Sequence, residues 1–171
     1  MRISDSSIEK ILRQGEVISE SQLAELKMEA ERTHHSLQTI ILEHKVLSEV
    51  QLGQKIGEYI NVPFVTIEPK DIPDDVLKRI PEHIARQYNV VLFSADDNGV
   101  LSLAMEDPDD VQALNFIQKE IGYNIKVFLA TKNNILDCLE NYRGNITDEL
   151  DEVVSIQSGA ESESQNVSEE E

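Results

Sequence analysis

Ile80-Pro81-Glu82-His83-Ile84-Ala85-Arg86-Gln87-Tyr88-Asn89-Val90-Val91-Leu92-Phe93 runs into Ser94-Ala95-Asp96-Asp97-Asn98-Gly99, then into Val100-Leu101-Ser102-Leu103-Ala104-Met105-Glu106-Asp107-Pro108-Asp109-Asp110. Pro81 suits the first turn of a helix, where a missing N–H costs nothing. Val90 to Phe93 reads as a buried strand. Asp97-Asn98-Gly99 is a hairpin signal, because Asn-Gly accepts the positive φ angles of a type I′ turn. Val100 to Met105 returns as a second strand. Asp107 is placed to cap a helix with Pro108 in its first turn, and Asp109 and Asp110 add carboxylates at the positive end of the helix dipole.

Outward from this block the pattern continues. Phe64 to Ile67 reads as a short strand after Asn61-Val62-Pro63, and Ile72-Pro73-Asp74-Asp75 as a helix start. Val111, Leu114, Ile117 and Ile121 form a helical stripe closed by Gly122. Ile125 to Leu129 reads as a third good strand. Thr131 caps a last helix to about Tyr142, with Ile135, Leu136 and Leu139 inward. Strand, helices, strand, strand, helix, strand, helix over 61–144 is an α+β sandwich.

The first 60 residues contain a repeat. Glu16-Val17-Ile18-Ser19-Glu20-Ser21-Gln22-Leu23 matches Lys45-Val46-Leu47-Ser48-Glu49-Val50-Gln51-Leu52, 29 positions later. Ile8, Ile11 and Leu12 correspond to Leu37, Ile40 and Ile41, each set on one helical face. Ser19 with Gln22, and Ser48 with Gln51, are capping-box pairs. Leu23, Leu26 and Ala30, then Leu52, Ile56, Tyr59 and Ile60, supply the second helix of each unit. Four short one-faced helices bury those faces against each other, so residues 1–60 read as an all-helical bundle built by duplication.

The formal charge is −18, and aromatics make up only 5% of the chain. No Lys or Arg follows Arg143, while nine carboxylates do: Asp148, Glu149, Asp151, Glu152, Glu161, Glu163, Glu169, Glu170 and Glu171. Residues 145–171 therefore read as a disordered acidic linker or tail, in which only Val153, Val154 and Ile156 offer a weak contact. The acidity argues against nucleic acid and against an anionic membrane surface as partners. The lone Cys138 fits a reducing compartment. No signal peptide or span-length apolar run occurs, and a soluble cytoplasmic protein is expected.

Chemistry is sparse. No G-x-x-x-x-G-K-[ST], C-x-x-C or H-E-x-x-H occurs, so no catalytic, cofactor-binding or metal residues are expected. Asp107, Asp109 and Asp110 admit a metal or acid–base site but fit a helix cap better. His34, His35 and His44 lack evident partners for a metal, His83 reads as a surface residue, and Cys138 as packing or partly exposed.

The Ile80–Asp110 block resembles the N-terminal region of the assembly ATPases of type II secretion and type IV pilus machines, a family in which IPxxxARxYxVxxL is followed by a turn and then by AMxDPxD. The resemblance covers nearly all of residues 1–145. It implies a hexameric cytoplasmic ATPase in bacteria, of which this chain is the non-catalytic regulatory and docking front end. The implied partners are cytoplasmic parts of the inner-membrane platform and the chain's own ATPase domain. The acidic linker would then lead into that ATPase domain; a free-standing adaptor is the other reading. Some members of the family carry a duplicated R-L-G motif ending in L-x-x-x-L-x-x-Q that binds cyclic di-GMP. Its R-L-G positions align here with Ser7-Ile8-Glu9 and Ser36-Leu37-Gln38, and its terminal Gln with Ala30 and Tyr59. Both Arg and both Gly are replaced, so a cyclic di-GMP sensor stays the alternative to a docking module.

Overall fold

A computed structural model describes residues 3–122 and 124–142. The acidic stretch 145–171 lies outside the described residues. The chain opens with four helices, α1 (Asp5–Gln14), α2 (Glu20–Thr33), α3 (Leu37–Glu43) and α4 (Glu49–Ile60). A 3-10 turn (Pro69–Asp71), α5 (Asp74–Leu77) and α6 (Glu82–Tyr88) precede β1 (Val90–Ala95) and β2 (Leu101–Met105). Then come α7 (Val111–Ile121), β3 (Ile125–Leu129) and α8 (Lys132–Leu139). The architecture is α+β, as the sequence pattern predicts.

The duplication is visible in backbone detail. Both capping boxes form, Ser19 with Gln22 and Ser48 with Gln51, each satisfying two orphan amides at a helix start. Glu16 (φ 47) and Lys45 (φ 53), 29 positions apart, are both left-handed. Each closes its first helix the same way: Val17 N donates to Leu12 O at 3.2 Å and Val46 N to Ile41 O at 3.0 Å. Ile8, Ile11, Leu12, Leu37, Ile40 and Ile41 are buried together with Leu23, Leu26, Ala30, Leu47, Leu52 and Ile56. Tyr59, expected inward, is 40% exposed.

The sheet has the order β1-β2-β3. β1 and β2 are antiparallel, with an irregularity between Leu92 and Ser94. β2 and β3 are parallel, and α7 makes the crossover such a pair requires. A second buried core, from Ile67 to Tyr142, surrounds this sheet. Leu129, at the end of β3, packs instead with the bundle core.

Four local expectations need correcting. The strand expected at Phe64–Ile67 reduces to an isolated parallel bridge, Phe64 to Leu129. Pairing stops there because the side chain of Asn134 takes both backbone groups of Ile67. The hairpin turn is not type I′. Among the described residues with positive φ, Gly99 (φ 77) is present and Asn98 is not. Gly99 N donates to Asp96 O, Asp96 N donates to Val100 O, and the Asp96 carboxylate accepts from Asn98 N and Val100 N. That is a three-residue loop ending in a left-handed glycine. The helix expected from Asp107 starts at Val111, because Asp107 accepts from Asp109 N in a turn and leaves the cap to Asp110, which accepts from Ala113 N at 2.9 Å. Val111 then falls outside the stripe and is exposed, while Ala113 and Ile117 are buried. Finally, Pro73 and Pro81 occupy the caps of α5 and α6, one place before the first helical turn.

Tyr142 closes the second core. Its hydroxyl lies 2.7 Å from Leu77 O and 2.9 Å from Ile80 O, so its single proton serves the loop between α5 and α6. Burial pushes the phenol up to about 12 and the buried Cys138 thiol up to about 11; Asp137 and Glu68 add to the thiol's rise. Both acids bind their protons more tightly folded than unfolded. The stability they contribute is therefore complete below about pH 9 and is lost as pH rises through about 11 and 12. Circular dichroism melts are expected to show a melting temperature that falls steeply over that alkaline window. A flat profile across it would contradict the burial of both groups.

Candidate functional site

Of the two segments aligned with the R-L-G positions, Ser7-Ile8-Glu9 lies inside α1 and Ser36-Leu37-Gln38 at the cap and start of α3. Their middle residues, Ile8 and Leu37, are core. Their outer residues are committed to the protein's own structure. Ser36 caps α3, accepting from Thr39 N at 3.2 Å. Ser7 shares a hydroxyl contact with Ser4, the cap of α1, and donates its amide to Ser4 Oγ. Asp5, in the first turn of α1, accepts from Leu37 N at 3.0 Å, so a carboxylate of the first repeat occupies the helix start of the second.

Glu9, where the motif has glycine, carries the local electrostatics. Lys27 of α2 pairs with its carboxylate, and Arg13 Nη1 lies 3.8 Å away. The Lys27 hydrogen bond holds the Glu9 carboxyl below the usual carboxylate range, against an opposing desolvation, with the charges of Lys27 and Arg13 helping. Arg13 reaches on to Glu20 through Nε and Nη2, at 3.0 and 3.1 Å. Lys27 and Arg13 are thus matched by carboxylates of the same chain. Of the terminal positions, Ala30 is buried and Tyr59 exposed.

The other candidates are spent structurally. Asp107 and Asp110 serve a turn and a helix cap. Among the described residues no group of three or more His, Cys, Asp or Glu is disposed to hold a metal ion. His34 is the left-handed cap of α2; His35 lies 3.9 Å from Glu43, and His44 Nε2 lies 2.8 Å from Glu29. His83 is exposed. Cys138 is fully buried rather than partly exposed, and its raised pKa keeps it a protonated, unreactive thiol.

The feature that sequence reasoning missed is the junction. Leu42, Leu52, Gly53 and Ile56 of the bundle face Phe64, Leu129 and Ala130 across a groove of about 120 Å³, rimmed by Gln38, Glu49, Glu106, Thr131 and Lys132. Asn133 Nδ2 lies 2.9 Å from each oxygen of Glu49 and bridges the two sides. The only advance signal is the pair of glycines, 53 and 57, one turn apart in α4.

A duplicated helical bundle packed on a small α+β sandwich is the fold of the N-terminal regions of type II secretion and type IV pilus assembly ATPases. In comparisons of solved structures, MshE with cdg superposes with a TM-score of 0.61 at 22% identity, covering 78% of this chain and 96% of that one. The N-terminal domain of XpsE gives 0.53 at 16% identity, covering 82% and 96%. Residues 60–149 match the MshEN domain, and the chain belongs to that family. The type IV pilus assembly ATPases PilB of Myxococcus xanthus and of Pseudomonas aeruginosa are each 23% identical over 145 residues, 85% of this chain. The chain spans about a quarter of the length of these relatives, 25% in each case. Among the described residues no helix is long and apolar enough to cross a membrane.

Proposed function

We propose that this chain is the non-catalytic regulatory and docking module of a type II secretion or type IV pilus assembly ATPase, and that it binds a cytoplasmic part of the inner-membrane platform. In this reading residues 1–60 and 61–144 are its two parts and 145–171 the linker to the motor. The observation that carries it is the alignment with about a quarter of the length of the PilB ATPases, joined to the structural use of most of the aligned ligand positions. Side chains at 7, 9, 36 and 37 cap, pair or pack, which preserves the bundle as a surface rather than as a nucleotide site. Calorimetry against purified cytoplasmic segments of the platform proteins from the same machine tests it. Saturable binding to one of them is expected; no heat with any of them would overturn it.

The MshE structure contains cdg, which gives the sensor reading its one support. Against it stands Glu9, an anion already seated on Lys27 where a dianionic ligand would have to approach. Cyclic di-GMP at about 100 μM is therefore expected to leave the melting temperature unchanged. A dissociation constant near 1 μM would instead stabilise the fold by about 2.7 kcal/mol, a shift of several degrees. Such a shift would restore the sensor function.

A further inference from the structure

Glycine within a helix costs roughly 0.5–1 kcal/mol relative to alanine, yet α4 carries two, at 53 and 57, both buried. Their missing side chains leave a trough, and Phe64 lies in it. A Cβ on Gly53 would collide with the Phe64 ring edge. A Cβ on Gly57 would come 2.7 Å from Val62 O and 3.4 Å from Phe64 Cβ. Asn61, left-handed at φ 59, ends α4 and turns the chain back, and Val62 N donates to Gly57 O at 2.9 Å. The returning segment is then bonded to the sheet: Leu129 N donates to Pro63 O at 2.8 Å, and Val65 N donates to Leu129 O at 2.9 Å. Leu129 reciprocates by placing its side chain in the bundle core. The Asn133–Glu49 pair adds a tie from α8 to α4.

We propose that Pro63–Val65 is a coupling strap, with Phe64 seated over Gly53 and Gly57, that makes the helical bundle and the α+β sandwich a single mechanical body. A displacement imposed on the bundle is then passed to β3 and α8 rather than absorbed at residues 61–63. The boundary at Asn61-Val62-Pro63 is then a rigid joint. This goes beyond the docking reading and does not depend on which partner binds.

NMR relaxation on the whole chain gives the first test. Residues 5–60 and 74–139 of the wild type are expected to share one rotational correlation time; two different times would overturn the proposal. A double-mutant cycle gives the second. Gly53→Ala alone is expected to lower the melting temperature by roughly 5–10 °C, because the ring must leave its seat. In a Phe64→Ala background the same change is expected to be neutral or slightly stabilising, since the new methyl enters vacated space and improves helix propensity. Equal losses in both backgrounds would sink the strap. If Phe64→Ala fails to fold, Phe64→Leu carries the same cycle, with a smaller loss for Gly53→Ala expected beside leucine than beside phenylalanine.

Discussion

Leu103→Ala is expected to lower the unfolding free energy by about 4–5 kcal/mol, in the upper part of the range for buried leucines. Leu103 is fully buried on β2, the central strand. Its register partners are Leu92 on β1 and Val127 on β3, so it is flanked on both sides by strands that hydrogen bonding holds in place. The cavity cannot close by moving one neighbour without breaking a ladder, and an uncollapsed cavity adds to the lost transfer energy. Urea denaturation followed by circular dichroism measures the loss. Val111→Ala serves as the contrast: the side chain is 62% exposed, so a change within about 0.5 kcal/mol is expected. A loss below about 1 kcal/mol for Leu103→Ala would mean that the strands flanking β2 yield and let the cavity close.

The bundle was largely legible because duplication repeats its own evidence. The same Ser–Gln box and the same apolar triplet occur twice, and helical caps and stripes are local, short-range devices. Where legibility failed, a side chain from elsewhere in the chain, or a nearer competitor, took a backbone group. Phe64 to Ile67 has strand composition, yet Asn134, 67 residues away from Ile67, replaces a strand partner. Asn98-Gly99 has the composition of a two-residue turn, yet the Asp96 carboxylate organises a three-residue one. Asp107 and Asp110 are both good caps, and only the turn that Asp107 closes on Asp109 decides between them. In the candidate site, the loss of Arg and Gly from the aligned positions could be read directly. What the surrounding side chains contact could not, because Asp5 meets Leu37 and Glu9 meets Lys27 only after the helices pack. The Phe64 seat was hidden for the same reason: a left-handed Asn61 is needed to fold residue 64 back onto residue 53.

Asn134→Ala is the second large effect, expected at about 3 kcal/mol although it deletes only a small polar group. The Asn134 amide presents an acceptor and a donor side by side, as a peptide unit does. Oδ1 accepts from Ile67 N at 2.8 Å and Nδ2 donates to Ile67 O at 2.8 Å. The side chain is aimed by its own backbone, because Asn134 N donates to Thr131 Oγ1 in the cap of α8. Ile67 is buried, so truncation leaves two orphaned main-chain groups, each costing about 1–3 kcal/mol when water cannot replace the partner. Asn134→Asp separates the two bonds. At neutral pH the carboxylate still accepts from Ile67 N but sets a second oxygen against Ile67 O, and a loss close to that of the alanine variant is expected. The carboxyl is then held protonated more readily in the fold than in the unfolded chain, so the deficit relative to wild type should shrink as pH falls from neutral towards about 4, the unfolded carboxyl's value, and level off below it, where an O–H can donate to Ile67 O. Comparing the two proteins by urea denaturation at each pH cancels the acid sensitivity they share. A deficit independent of pH, or an alanine variant within about 1 kcal/mol of wild type, would show that the Ile67 main chain is served by water and that Asn134 does not hold the segment after the strap against α8.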